Sequence, residues 1–403
     1  MAGRGQCLEY GENVRKFEGM KVKSASIYVV PCGNRRAVIV ELETDAGISG
    51  VGEAGIAYGA GTTAAAELVG EMVERFVIGQ DAGRIESIWN SIYDVAFWTK
   101  GGGAITFAAM SAIEHALWDI KGKDLGVPAY SLLGGAVGDD VPVYANGWWI
   151  GCDDPQSYAR AAADTVARGY SALKLYPLGM ADPVTIVRHP TRRMLEVRDE
   201  KMVIDRCAAI RDAVGPDVEI LLDLGGGLSH HQLMKILHAL EPIGIAFIEE
   251  PVDPALPHAL ARVAQATTIP VAAGERVYTR YGFAPLFAGN AISIAQPDVC
   301  NTGGLMETKK IAAMAEAYNL RVAPHNYGSP LATAISLQAC AAISNALTLE
   351  LFPDFDAEPG YRQIIETPLE TLVEGGRLAF QTGPGLGVSL HRKSVEDGLW
   401  RRI

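Results

Sequence analysis

Apolar and β-branched residues cluster over Ala25–Val30 and Ala37–Thr44, Asp45-Ala46-Gly47 supplies a turn, and Ile48–Ala54 reads as a return strand, so the chain opens with an antiparallel sheet. Helical segments follow. Over Thr106–Leu125, Met110, Ile113, Leu117 and Ile120 recur at helical spacing, and Gly126 with Pro128 is the stop. From Val141 the rhythm changes to strand, loop, helix, repeated. Apolar runs of strand length fall at Val141–Tyr144, Ala172–Leu175, Val218–Asp223, Ala246–Glu249, Val271–Ala273, Ile292–Ala295, Arg321–Ala323 and Leu347–Leu351. Helical stretches such as Pro155–Arg168, Gln232–Leu240 and Met306–Tyr318 separate them. Parallel strands need crossovers of helix length, so this alternation predicts a closed parallel α/β barrel.

Three places depart from the rhythm. Residues up to about 20 carry no clear pattern. After the second barrel strand, Tyr176–Asp199 forms a long insertion with Arg188, His189, Arg192 and Arg193, a basic stretch that can meet an acidic substrate or serve as a solvated or subunit-contacting loop. Beyond Glu366 the pattern ends, and Pro384-Gly385-Leu386-Gly387 leads into a tail expected to return to the N-terminal region. The expected division is a cap over 1–140 joined by 380–403, and a barrel over 141–379. Two glycine-rich loops, Tyr58-Gly59-Ala60-Gly61 and Phe97–Gly103, read either as covers for a barrel mouth or as plain connections.

Composition narrows the function. With 403 residues and a formal net charge of −12, the chain is large enough for two domains and poorly suited to nucleic acid or an anionic membrane. The six cysteines form no CxxC or Cys/His cluster, which speaks for free thiols rather than a zinc site or a disulfide frame. No apolar run reaches membrane-spanning length and the first residues do not resemble a signal peptide, so a cytoplasmic protein is expected.

The strand ends carry the candidate chemistry. Asp223, Glu249 and Glu275 each close or follow an apolar run, at equal intervals of 26 residues. Acids at one point in successive βα units lie at one end of neighbouring strands, about 4.8 Å apart, close enough to share an ion. Hard oxygen donors suit Mg²⁺, whereas Zn²⁺ would want His or Cys. The register continues through Asp298, His325 and Glu350. A carboxylate beside an imidazole fixes its tautomer and raises its basicity, which makes Asp298–His325 a general-base pair. Lys174 ends the second barrel strand and can neutralise a substrate carboxylate.

With these residues in place the chain resembles the enolase superfamily, in particular its mandelate racemase and muconate lactonizing subgroup, over nearly its whole length. The stretches that carry the likeness are GISGVGEA, ALWDIKGK, AAGERVYTRYGF, QPD, GGL and APH. The resemblance implies a (β/α)7β TIM-like barrel with an N-terminal α+β capping domain. It also implies Mg²⁺ on Asp223, Glu249 and Glu275, His325 with Asp298 as the base dyad, and Glu350 as stabiliser of an enediolate. Within the subgroup the segments look most like acid-sugar dehydratases of the galactonate type. Two positions differ from the subgroup's patterns. Gly225 stands where those dehydratases carry a His as acid for the leaving hydroxide, and Tyr176 stands where the racemases carry a second basic Lys. The expected activity is Mg²⁺-dependent dehydration of an aldonate or aldarate to a 2-keto-3-deoxy acid. The alternatives are an epimerase, racemase or cycloisomerase through the same enediolate, with Tyr176 returning a proton, and a non-catalytic scaffold. Candidate substrate contacts are Tyr58, Trp98, Lys100, Trp148, Arg276 and Asn326. The expected partner is a small carboxylate, and a homo-oligomer is expected.

Overall fold

A computed structural model describes residues 19–403 apart from residue 179, residues 183–185, 189–194 and 254, and residues 355–358; for 180–182 and 186–188 it describes the backbone alone. The unpatterned N-terminus up to residue 18, and His189, Arg192 and Arg193 of the basic insertion, therefore lie outside the described residues, as does the side chain of Arg188.

The predicted antiparallel opening is built from β1 (Val22–Cys32), β2 (Arg35–Thr44) and β3 (Ser49–Ala54). The barrel strands are β4 (Asp140–Ala145), β5 (Ala172–Leu175), β8 (Glu219–Asp223), β9 (Ile245–Glu249), β10 (Val271–Ala273), β11 (Ile294–Ala295), β12 (Arg321–Val322) and β13 (Leu349–Leu351). Within the insertion β6 (Met180–Asp182) and β7 (Ile186–Arg188) form a separate antiparallel ribbon. β14 (Arg377–Ala379) pairs antiparallel with β4, and β15 (Leu399–Arg402) returns to pair antiparallel with β1. The barrel order is β12-β11-β10-β9-β8-β5-β4-β13. Val322 closes the ring, with its N–H donating to the Asn345 carbonyl at 2.9 Å and its carbonyl accepting from Leu347 N–H at 2.7 Å.

Alternation along these short strands positions everything that matters at the mouth. Tyr144, Ala172, Leu221, Phe247, Ala272, Ile294 and Ala323 pack together as one cluster inside the barrel, while Leu173, Leu222, Ile248, Val271 and Leu349 pack with the helices outside. Two residues on from an inward position, a side chain faces inward again. That step leads from Ala172 to Lys174, from Leu221 to Asp223, from Phe247 to Glu249 and from Ala323 to His325. Glu275 breaks the parity, because Ala273 before it packs outward. Gly274 makes the correction at φ 149°, where a Cβ would stand 2.8 Å from the Phe283 ring and 2.9 Å from the Gln296 backbone.

The cap is seated by the helix Gly103–Leu125, which is buried over most of its circumference. Gly50 and Gly52 let β3 lie directly on it: a Cβ at Gly50 would be 2.2 Å from the Ala116 carbonyl oxygen, and at Gly52 2.0 Å from that of Ala112. Positions two apart on a strand thus meet positions four apart on a helix, which is the physical content of the GISGVGEA segment. The other side of the helix meets the barrel. Glu114 accepts from the amides of Leu305 (2.8 Å) and Met306 (2.9 Å), capping the helix Leu305–Ala317, while Asp119 ties the helix to β3 and the C-terminal tail by accepting from the Val51 and Leu386 amides, each at 2.9 Å. Glu53 at the end of β3 accepts from the amide and hydroxyl of Ser329. Among the described residues no helix is long and apolar enough to cross a membrane.

Candidate active site

The cavity at the C-terminal end of the barrel strands encloses about 560 Å³ between barrel and cap, and Lys174, Asp223, Glu275, Asp298, His325 and Glu350 line it. Asp223 and Glu249 are direct partners across β8 and β9, and Glu249 pairs in turn with Ala272 of β10. Burial, then the charges of Glu249 and Glu275, raise the Asp223 carboxyl well above its usual range, so the three acids share one electrostatic field. Glu249 is fully buried. Its Oε2 accepts from Lys174 Nζ at 2.8 Å and Gln296 Nε2 at 2.7 Å, while its Oε1 has no hydrogen-bond partner among the described residues. A buried carboxylate oxygen with nothing to bond, beside two more carboxylates, fits a hard divalent cation. The acids do not form a finished cage, since lysine, histidine and backbone donors take up their oxygens. Among the described residues no three such groups stand in ligating geometry.

Lys174 is buried between Glu249 at 2.8 Å and Glu350 at 2.7 Å, over the Tyr144 ring at 5.3 Å. Burial would discharge the amine, but the two carboxylates outweigh it and hold its pKa well above the ordinary value. With two of its three donors committed, one remains for a ligand. Burial would likewise raise Glu350, yet Lys174 and His325 pull it below the usual value. An ionised Glu350 accepts, from Asn146 Nδ2 at 2.7 Å and the Asn326 amide at 3.0 Å. In this geometry it clamps Lys174.

Asp298 and His325 bridge neighbouring segments, with Asp298 Oδ2 2.8 Å from His325 Nδ1. The second Asp298 oxygen accepts from the Cys300 amide at 2.8 Å. His325 Nε2 faces Glu275 Oε2 at 3.1 Å. Burial favours the neutral ring, but Glu275, Asp298 and Glu350 together lift its pKa to about 10.

Tyr176 and Gly225 form one unit. A Cβ on Gly225 would lie 3.2 Å from Tyr176 Cε2 and 3.6 Å from its hydroxyl, so the phenol occupies the space into which a side chain at 225 would project. Burial, then the Asp223 charge, push the Tyr176 pKa upward.

Of the proposed substrate contacts, Tyr58 and Arg276 line the cavity. Arg276 also donates to Glu250 Oε2 at 2.7 Å. Four others are not among the residues that line it. Trp98 is 83% exposed and packs on Phe97. Lys100 pairs with Asp94 at 2.7 Å and lines a neighbouring cleft. Trp148 packs edge-on to Tyr158 in the barrel core, whereas Asn146 Oδ1 accepts from Trp149 Nε1 at 3.1 Å and places Trp149 on the cavity wall. Asn326 is buried behind the wall, bonded to Glu350 and Thr333. Sequence reasoning missed Asn34, Asn146, Trp149, Ile150, Tyr327 and Phe352. For Tyr327 and Phe352 a signal existed: each stands two residues beyond an inward-facing strand-end residue, His325 and Glu350.

A seven-helix, eight-strand barrel beneath an α+β cap, with carboxylates, a lysine and a His–Asp pair at the strand ends, defines the enolase superfamily architecture. The model of the mandelate racemase / muconate lactonizing enzyme N-terminal domain matches residues 16–134, and that of the enolase C-terminal domain-like family matches residues 157–394. The chain belongs to the mandelate racemase and muconate lactonizing enzyme family of the enolase superfamily. Among its relatives, D-galactonate dehydratase of Ralstonia pickettii is 36% identical over 95% of this chain and 96% of that protein. A solved structure from Mesorhizobium loti is 46% identical, with TM-score 0.91 over 95% of this chain and 99% of that one. A member of the enolase superfamily from Salmonella Typhimurium is 36% identical, with TM-score 0.89 over 95% and 99%.

Proposed function

We propose that this protein is a hydro-lyase that dehydrates a sugar acid, an aldonate or aldarate, to a 2-keto-3-deoxy acid with Mg²⁺ as cofactor. The observation that carries this reading is the Asp298–His325 pair lining one cavity together with Lys174, Asp223 and Glu275, in a chain whose relatives are named for sugar-acid dehydration. Residues 1–140 with the tail from about 380 form the cap on this reading, and 141–379 the catalytic barrel.

Asp223, Glu249 and Glu275 would hold the cation. Bound there, it supplies positive charge against the negative charge that develops on the substrate carboxylate when the adjacent carbon loses its proton. His325 Nε2 takes that proton. Asp298 holds the opposite nitrogen and stabilises the imidazolium. Lys174, fixed by Glu249 and Glu350, offers its remaining N–H to the same carboxylate. The β-hydroxyl then leaves with a proton. Gly225 has no side chain to give one, and the Tyr176 phenol has its pKa raised. Protonated His325 stands over one face of the substrate and hands the proton on, which makes the elimination syn. The isomerase reading needs a second base at Tyr176, and burial beside Asp223 works against a phenolate there.

The test is an assay for 2-keto-3-deoxy acid over a library of sugar acids with added Mg²⁺, repeated after chelation and with Glu249→Gln. The reading expects product from the wild type with Mg²⁺ and loss of activity in both controls, with the fold of the variant intact by circular dichroism. Full activity in chelator and in the variant would remove the metal site from the account.

A further inference from the structure

We propose that the far wall of the cavity selects a monocarboxylic sugar acid whose distal end is apolar, a terminal methyl, over one with a terminal hydroxymethyl or a second carboxylate. This rests on the dehydratase reading above and names the substrate class within it.

Charge divides the cavity into two ends. Among the described lining residues the cations are Lys174, Arg276 and His325, and each already faces carboxylates: Glu249 and Glu350, Glu250 and Glu275, Asp298 and Glu275. The rest of the lining is mostly aromatic and aliphatic, with Ile56, Tyr58, Trp149, Ile150, Tyr327 and Phe352, and includes Asn34. Its rings are fixed. Tyr58 meets Tyr327 edge-on at 5.5 Å, and Tyr327 meets Phe352 edge-on at 5.1 Å. From behind, the cap inserts Arg35, with its guanidinium carbon 4.6 Å from the Tyr327 ring centre and 5.2 Å from that of Phe352, and with Nη1 donating to the Gly328 carbonyl at 3.0 Å. Arg35 is 3% exposed and is not among the residues that line the cavity.

Two wall residues, Ile150 and Tyr58, stay 44% and 48% exposed. Large side chains left open in a concave site are surface a ligand can cover, and burying a methyl there is favourable. A carboxylate placed against Ile150 and Phe352 would lose hydration, and the cations among the described lining residues are already engaged by carboxylates. A hydroxymethyl loses part of its hydration and gains less than a methyl.

The test compares 6-deoxyhexonates, hexonates and hexarates matched in configuration at every other carbon, by kcat/KM with Mg²⁺ and, in parallel, by calorimetric affinity for the Mg²⁺-loaded enzyme. One methyl-sized difference in an apolar pocket changes selectivity by roughly 10–200-fold. The expected order is deoxyhexonate at least about tenfold above hexonate, with hexarate lowest. Ile150→Lys, at an exposed position, is expected to shift the hexarate to deoxyhexonate ratio at least about tenfold toward the diacid. A hexonate or hexarate that equals or exceeds its deoxy counterpart overturns the proposal, as does an Ile150→Lys ratio that does not move. Absence of turnover across the panel with the affinity order intact would sink the dehydratase reading while leaving the selectivity of the wall standing.

Discussion

His325 shows how much of the site depends on its neighbours. Alone, a buried imidazole would titrate below its ordinary value; three carboxylates reverse this and carry it to about 10. One of the three, Glu275 at 3.1 Å, is also a candidate cation ligand, so committing Glu275 to Mg²⁺ lowers the proton affinity of His325 toward the range in which a base works near neutrality. Tyr176 presents the opposite case. Its phenol keeps its proton, and its ring fills the volume above Gly225. Tyr176→Phe preserves that ring, so kcat is expected to stay within about tenfold of wild type, where loss of a general acid would cost roughly 10²- to 10⁴-fold. A loss of the larger size would transfer the leaving-group proton from His325 to Tyr176. The acids, the dyad and Lys174 were legible in the chain because strand-end spacing is written in residue number. The wall was only half legible. Tyr327 and Phe352 follow from a two-residue step, but Trp149 in place of Trp148 depends on Asn146 accepting the indole N–H, and nothing in a WW pair tells which ring turns inward.

Among the elements, the barrel strands fall within a residue or two of where the apolar runs put them, since a strand buried on both faces leaves a continuous apolar signature. Glu275 kept the interval but not the parity of its neighbours, and only the backbone of Gly274 reconciles the two. β3 is the element most tightly constrained by glycine. Gly52→Ala would drive a methyl into the Ala112 carbonyl, which neither the strand nor a buried helix can relieve without moving. We expect a loss of roughly 1–3 kcal/mol or more in urea unfolding, read as a fall in midpoint. Gly47→Ala, in open space at a turn with φ 77°, meets no such contact and is expected to cost less. Equal losses in the two variants would remove close approach as the reason for glycine at 52.

The whole molecule is cap and barrel joined by buried acids. Glu53 and Glu114 are fully enclosed at this junction, and burial lifts both to about 7 against the local hydrogen bonds that lower them. A carboxyl whose folded pKa lies above its unfolded value binds its proton more tightly in the folded state. Its contribution is therefore full below the unfolded pKa of roughly 4.3 and is lost as pH rises through about 7. Thermal unfolding of the metal-free protein should show a melting temperature that declines over this interval, and Glu114→Gln should flatten the decline. A curve that climbs across the interval in wild type and variant alike would contradict the assignment.

The central claim is that His325 removes the α-proton and that water then leaves. The most direct measurement follows an accepted sugar acid by proton NMR in D₂O with Mg²⁺, comparing wild type with His325→Asn. The account predicts a 2-keto-3-deoxy acid from the wild type, and neither product nor loss of the α-proton signal from the variant. Deuterium entering the α-position in the variant, or an epimer forming in the wild type with no water lost, would contradict it.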